Sequence, residues 1–308
     1  MLNFLLDIAP DKSQLLLTIK LAGILREKKQ EVYYTYTSNP AFTPVLYDKG
    51  ISNCVLYPDD FRWLKPDLTL LDCRHAAHAS LYWQLAIDYI FISMQLPDQK
   101  NIQDKDISIL YLPPTPYLSS GSGPRLETLT KRLQDIKKDK ERNIIVGLLG
   151  KGNKNSKILE DFYRVIKRSS IRNPRYQFIL LTDIPNVYQS SELPDNMELF
   201  RTLNLNTILP LCDLALTDSH SDAWLDCTFA QIPVLKYSPK DMINITPMKL
   251  EQQIEYALQN KTTLTQKANE LCDFFERKNR EINKIADMLI ERAGRNRYNS
   301  CRLRPHTY

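Results

Sequence analysis

Three short runs in this chain hold side chains able to do chemistry. Asp72, His75 and His78 stand close together after an apolar run. A carboxylate beside an imidazole fixes its tautomer and leaves the far ring nitrogen as a base, so Asp72 with His75 reads as a catalytic dyad. His78 reads first as a helix histidine satisfied by its neighbours. Two histidines three apart also have a spacing that metal ligands use, but no third ligand is evident in the sequence, so no metal is expected. Asp11, just after the first apolar run, is a second candidate base. Gly150-Lys151-Gly152-Asn153 follows an apolar strand and opens a helical pattern. Glycines there let the backbone approach phosphate oxygens, the helix N-terminus favours an anion, and Lys151 adds positive charge. It is neither a Walker loop nor a dinucleotide fingerprint. Ser219, His220 and Ser221 precede another helical pattern. Their hydroxyls and amides suit helix capping, and the same groups suit a diphosphate, with His220 as a hydrogen-bond donor.

The elements that must position these runs alternate in the manner of parallel βαβ units. Strand patterns run over 2–8, 31–36, 52–57, 67–71 and 89–93, with helical patterns over 13–29, 42–48 and 76–86 between them. A proline- and glycine-rich stretch follows, Leu112-Pro-Pro-Thr-Pro116 and Ser119-Ser-Gly-Ser-Gly-Pro124, poor in regular structure. After a charged helix over 125–140 the alternation restarts. Strands are expected at 143–149, 176–181, 197–200, 214–216 and 234–237, and helices at 156–169, 206–211, 222–230, 247–259 and 265–292. The expected fold class is α/β, with two Rossmann-like parallel-sheet domains facing a cleft. Residues 1–112 form the N-terminal domain, 113–141 a linker and surface helix, 142–290 the C-terminal domain and 291–308 a basic tail. Ligands of open parallel sheets bind outside the carboxyl ends of the strands, where the three runs fall.

Composition narrows the function classes. With 43% hydrophobic and 25% charged residues the chain is ordinary for a soluble globular protein. No apolar run approaches the roughly 20 residues of a bilayer span, and the N-terminus does not read as a signal peptide. The six cysteines have no metal-ligand spacing and read as reduced thiols of a cytoplasmic protein. The net charge of +5 is concentrated after residue 291, where Arg292, Arg295, Arg297, Arg302 and Arg304 face no acid. Without those five, the 41 basic residues fall to 36, equal to the 36 acidic ones. A neutral body argues against a nucleic-acid footprint. The tail can meet phosphates or an anionic membrane surface, or stay solvated and frayed.

The order of motifs resembles the GT-B glycosyltransferases that include the UDP-glycosyltransferases and the peptidoglycan N-acetylglucosaminyltransferase. Leu21-Ala22 with Val32 is similar to that family's "LA..L...GHeV", and Lys65-Pro-Asp-Leu-Thr-Leu-Leu-Asp72 to "kPDlvi.D". The run from Asn196 through Leu211-Cys-Asp213, Asp218-Ser-His220 and Ile232-Pro-Val234 resembles the nucleotide-sugar region, strand, loop, helix, strand, turn, helix. The likeness covers most of 1–290. It implies transfer of a sugar from a nucleotide-diphosphate donor to an acceptor hydroxyl, inverting and without metal or other cofactor. Asp226 falls where the family binds the donor ribose, Phe200 and residues 201–204 where it holds the base, and Asp241-Met242 where a donor-sugar pair stands. Gln14 occupies the place of the family's catalytic histidine, Asp72 matches the aspartate that orients it, and the His-Gly-Gly turn falls at Asp218-Ser219-His220 without its glycines. Since glutamine is no base, Asp72, His75 and Asp11 become the catalytic candidates. Two alternatives stay open: a non-catalytic binding or regulatory protein of this fold, and an epimerase-like enzyme acting on nucleotide sugars.

Overall fold

The computed structural model describes residues 1–8, 12–35, 53–54, 64–94, 102–103, 108–114, 124–139, 141–149, 156–182, 193–201, 203–219 and 223–302. The chain divides into two compact units, Met1–Thr115 with Phe274–Tyr308, and Pro116–Asp273. The return of the C-terminus to the first unit departs from the expected boundary at residue 290.

In the first unit, β1 (Asn3–Asp7) leads into α1 (Lys12–Glu27), followed by β2 (Glu31–Thr35), β3 (Asn53–Cys54) and β4 (Leu68–Asp72). A 3₁₀ turn, Cys73–His78, and α2 (Ala79–Gln84) lead to β5 (Tyr89–Met94), β6 (Ile102–Gln103) and β7 (Ser108–Leu112). Among the described residues the sheet order is β3-β2-β1-β4-β5-β7-β6, parallel except for β6 against β7. The strand Ser108–Leu112 was not expected, because its apolar run merges with the proline-rich break that starts at Leu112. Phe4 to Leu6 in β1 and all of β4 are buried, as befits central strands covered on both faces. The expected elements at 42–48 and, apart from Asn53–Cys54, at 52–57 lie outside the described residues.

β1 pairs with β2 on one side and with β4 on the other, with Asp7 level with Leu71. The connections run outward in opposite directions from that pair. The β1/β4 boundary is therefore the topological switch point, where open sheets of this kind form a ligand crevice.

The second unit opens with α3 (Pro124–Lys138), then β8 (Asn143–Leu148), α4 (Ser156–Arg172), β9 (Tyr176–Leu181) and β10 (Met197–Phe200). Next come α5 (Leu205–Ile208), a 3₁₀ turn at Leu209–Leu211, β11 (Leu214–Asp218), α6 (Ala223–Phe229) and β12 (Val234–Tyr237). The helices α7 (Pro239–Asn244), α8 (Pro247–Gln259) and α9 (Lys261–Arg280) follow. The parallel order is β10-β9-β8-β11-β12, with its own switch point between β8 and β11. α7 is held by a capping box in which Ser238 and Asp241 satisfy each other's backbone amides. That contact uses Asp241 for structure.

The single helix expected at 265–292 is two. α9 ends at Arg280, and α10 (Ile282–Arg302) seats Ile282, Ala286, Leu289 and Ala293 in the core at helical spacing. The expected frayed basic tail is corrected as far as residue 302. Arg292 grips Asp88, before β5, with Nε and Nη2 at 2.7 and 2.9 Å, and Asn296 adds a contact of 2.7 Å. Arg297 Nη1 donates to the Met1 carbonyl at 2.5 Å. No helix among the described residues is long and apolar enough to cross a membrane.

Candidate functional site

The side-chain cluster at the β1/β4 switch point is centred on Asp7, a residue the sequence reading passed over. Asp7 closes β1 with 2% exposure. Thr35 and Tyr82 donate their hydroxyls to it, Thr35 to Oδ1 at 2.8 Å and Tyr82 to Oδ2 at 2.6 Å. His75 Nδ1 lies 3.0 Å from Oδ1 and His78 Nδ1 lies 2.7 Å from Oδ2. Each carboxylate oxygen thus meets one hydroxyl and one imidazole. An ionised carboxylate only accepts, so both rings donate from Nδ1, and each ring in its neutral form then presents Nε2 as an acceptor. Burial pushes the Asp7 carboxyl up, but the hydrogen bonds from Tyr82, His75, His78 and Thr35 outweigh it and hold Asp7 below the usual carboxylate range. Burial, with the Asp7 charge beside it, pushes the Tyr82 phenol well up, which keeps it a donor.

The histidines reach Asp7 because of the turn that carries them. The 3₁₀ turn after β4 repeats every three residues, which brings positions 75 and 78 to one side. His75 itself departs from helical geometry at φ −98° and ψ 25°. The two rings lie 4.8 Å apart between centroids, tilted by 46°. The His75 side chain is 25% exposed and that of His78 51%.

The expected dyad of Asp72 with His75 is corrected here: Asp7 holds the His75 imidazole. Asp72 is 1% exposed and accepts from the Arg74 amide at 2.9 Å, capping the 3₁₀ turn, while the Arg74 guanidinium closes on it at 3.0 to 3.3 Å. Through these contacts to Arg74, Asp72 holds the turn on which both histidines ride. The third side chain that a metal site would need, not evident in the sequence, is Asp7. With His75 and His78 it makes a group whose ligand atoms lie within 4.8 Å of one another. The signal for Asp7 was a lone acid at the carboxyl end of an otherwise buried apolar strand, the position that faces the crevice. Asp11 lies outside the described residues, and of Gln14 only the helical backbone is described.

In the second unit, Gly150, Lys151, Gly152 and Asn153, and likewise His220 and Ser221, lie outside the described residues. The strands that lead into both segments are neighbours, with Leu148 of β8 level with Thr217 of β11. Ser219 is exposed, but its amide donates to the Tyr237 carbonyl at 2.8 Å. The ladder takes the amide offered to a phosphate and leaves the hydroxyl. Asp218 is the buried end of β11, and Asp226 sits at 9% exposure in the first turn of α6. Phe200 is a core residue. Cys73, Cys212, Cys227 and Cys272 are in no disulfide, and burial, helped by Asp213, pushes Cys212 up to about 12.

No family model matches the chain, and no curated protein is similar to it in sequence. Solved structures are similar in fold. The spinosyn rhamnosyltransferase SpnG has a TM-score of 0.65 at 12% identity, over 93% of this chain and 100% of its own. The spinosyn forosaminyltransferase SpnP gives 0.64 at 14% identity, over 95% and 99%. The glycosyltransferase SnogD from Streptomyces nogalater gives 0.62 at 14%, again over 95% and 99%. The chain has the two-sheet α/β fold of GT-B glycosyltransferases.

Proposed function

We propose that the protein is a cytoplasmic glycosyltransferase that moves a sugar from a nucleoside-diphosphate donor to an acceptor hydroxyl, inverting and without a catalytic metal. The observation that carries this reading is the Asp7 carboxylate fixing His75, with Nε2 left as acceptor, at the switch point of the first sheet. His75 is the more enclosed of the two imidazoles and is the base. Its Nε2 takes the acceptor's hydroxyl proton as that oxygen bonds to the anomeric carbon. The bond from that carbon to the diphosphate oxygen breaks with its electron pair, and the sugar passes through an oxocarbenium-like state. Asp7 stabilises the imidazolium that results. A single displacement inverts the anomeric centre.

The donor is assigned to the second unit. Gly150, Lys151, Gly152 and Asn153 leave β8, and Ser219, His220 and Ser221 leave the adjacent β11. Helix starts beside neighbouring strand ends favour a diphosphate, and its stabilisation as it leaves is the electrostatic share of catalysis. Asp226 is assigned to the donor ribose. Among the fold neighbours, one structure of SpnG is a complex with thymidine diphosphate, another with spinosyn aglycone, and VinC is complexed with dTDP. These support a diphosphate donor and a hydroxyl-bearing acceptor here. Arg292, Arg295 and Arg297 engage Asp88, Glu291 and Met1, so a peripheral contact with an anionic membrane would fall to Arg302 and Arg304.

Calorimetry with UDP, GDP and TDP, with and without EDTA, tests the donor. One of them should bind with EDTA present, and at about 100 Kd it should stabilise the fold by about 2.7 kcal/mol. Release of that diphosphate from its sugar donor, in the presence of a hydroxyl acceptor panel, tests transfer. Binding of none of the three ends the reading. The loss of the Ser219 amide to the ladder favours a second reading, a binding protein of this fold, for which binding without turnover is the expected result.

A further inference from the structure

We infer that Asp7, His75 and His78 form a binding site for a divalent transition-metal ion of the zinc class, held by the Asp7 carboxylate and the two imidazoles. The three side chains are gathered before any ion arrives. Their ligand atoms lie within 4.8 Å of one another, and each imidazole Nδ1 is already 2.7 to 3.0 Å from a carboxylate oxygen. Metal–ligand bonds of about 2.0–2.2 Å in a tetrahedron separate ligand atoms by about 3.3 Å. The two imidazole–carboxylate contacts need open by only a few tenths of an ångström, and the remaining separation, no more than 4.8 Å, closes toward that value as the rings turn. Each ring shifts its proton from Nδ1 to Nε2, a change of tautomer that leaves its charge unaltered, and turns the freed lone pair to the ion. Asp7 is already ionised and supplies a negative charge in a buried position.

The surroundings match what a metal ligand needs. Tyr82 and Thr35 donate to opposite oxygens of Asp7 and take one lone pair of each, leaving the other for the ion. Such outer hydrogen bonds fix the orientation of a ligating carboxylate. His78 at 51% and His75 at 25% side-chain exposure leave a solvent approach and an open coordination position for water. Imidazole with carboxylate suits Zn²⁺, Co²⁺ or Ni²⁺, whereas Mg²⁺ and Ca²⁺ prefer all-oxygen sets. Binding does not depend on the proposed transfer chemistry. Only its consequence rests on that reading: an ion on these nitrogens ties up the His75 lone pair and inhibits.

The test uses the full chain, dialysed against EDTA and then against chelator-free buffer, without any sugar or nucleotide. Titration with Zn²⁺ by calorimetry should give one ion per chain, and Co²⁺ should give the intense visible absorption of a tetrahedral site. Because His78 is half exposed, His78→Ala keeps the fold, and it should weaken Zn²⁺ binding by at least about tenfold; Tyr82→Phe, which keeps all three ligands, should weaken it by about tenfold. A Mg²⁺ titration should give no heat. The inference is overturned if Zn²⁺ does not saturate one site on the wild-type chain. It is equally overturned if His75→Ala and His78→Ala, each confirmed folded by its thermal transition, bind as the wild type does. Failure of transfer by the metal-free chain, in a protein that still binds Zn²⁺, would sink the functional reading and leave the site standing.

Discussion

Asp7 and His75 are 68 residues apart in the chain and 3.0 Å apart in the fold. Parallel pairing of β1 with β4 brings the strand ends together, and the Asp72-capped turn swings the imidazole over. If this contact fixes the base, His75→Ala should lower kcat by about 10²–10⁴, the usual worth of a general base. Asp7→Asn should act in the same direction, because an amide can donate to Nδ1 and select the wrong tautomer. Affinity for the nucleoside diphosphate should stay near wild type, since its assigned segments lie in the other unit. Steady-state rates with calorimetric Kd values check this, and a wild-type kcat for both variants excludes the assignment.

Asp72→Asn separates positioning from catalysis. The amide still caps the turn in part but loses the charge opposite Arg74, which is half exposed. Stability should fall by about 1–3 kcal/mol, as for loss of a hydrogen bond to a charged group. The pH profile of the residual rate should keep its wild-type midpoint, because the titrating base is elsewhere. A shifted midpoint would return Asp72 to the proton path.

Tyr82→Phe removes the shortest donor to Asp7, 2.6 Å long, and leaves a buried carboxylate short of one partner. A loss of about 1.5–3 kcal/mol is expected at neutral pH. Asp7 is held below its ordinary range in the folded state, so its contribution to stability is complete above the unfolded carboxylate value of about 3.9 and is lost as pH falls through the lower folded value. In Tyr82→Phe the folded value rises toward the unfolded one. The variant should therefore lose less additional stability than wild type between neutral and acid pH. Urea denaturation at several pH values, compared midpoint by midpoint, checks it.

Arg292 docks the last helix through Asp88. Both side chains are about one-third exposed, so solvent screening limits the pair. Arg292→Ala should cost about 1 kcal/mol, reduced by salt. A double-mutant cycle with Asp88→Ala should recover most of that as coupling. No coupling would mean that the buried stripe Ile282, Ala286, Leu289 and Ala293 carries the docking alone.

At Gly147 in β8, a Cβ would run into Leu180 Cδ2 on β9. Gly147→Val should force Leu180 off its rotamer and cost about 1–3 kcal/mol of overpacking. Gly147→Val with Leu180→Ala should regain part of it, measured by thermal unfolding.

The sequence by itself determined the alternation of apolar strands and amphipathic helices. That alternation carried the α/β class, the two parallel sheets and most strand positions from Leu2 to Tyr237, because periodicity is local and survives any placement of the elements. It also marked His75 at a strand end. Only the tertiary structure decided which carboxylate that histidine meets. Asp72 is adjacent in sequence, yet the cap it makes with the Arg74 amide turns its oxygens toward that residue. Asp7 is distant, yet the pairing of β1 beside β4 sets it opposite the turn. The return of Ile282–Arg302 to the first unit was decided in the same way. An amphipathic stripe states that a helix must be covered, whereas the surface that covers it is set by which unit offers a complementary groove and an acid such as Asp88 within reach.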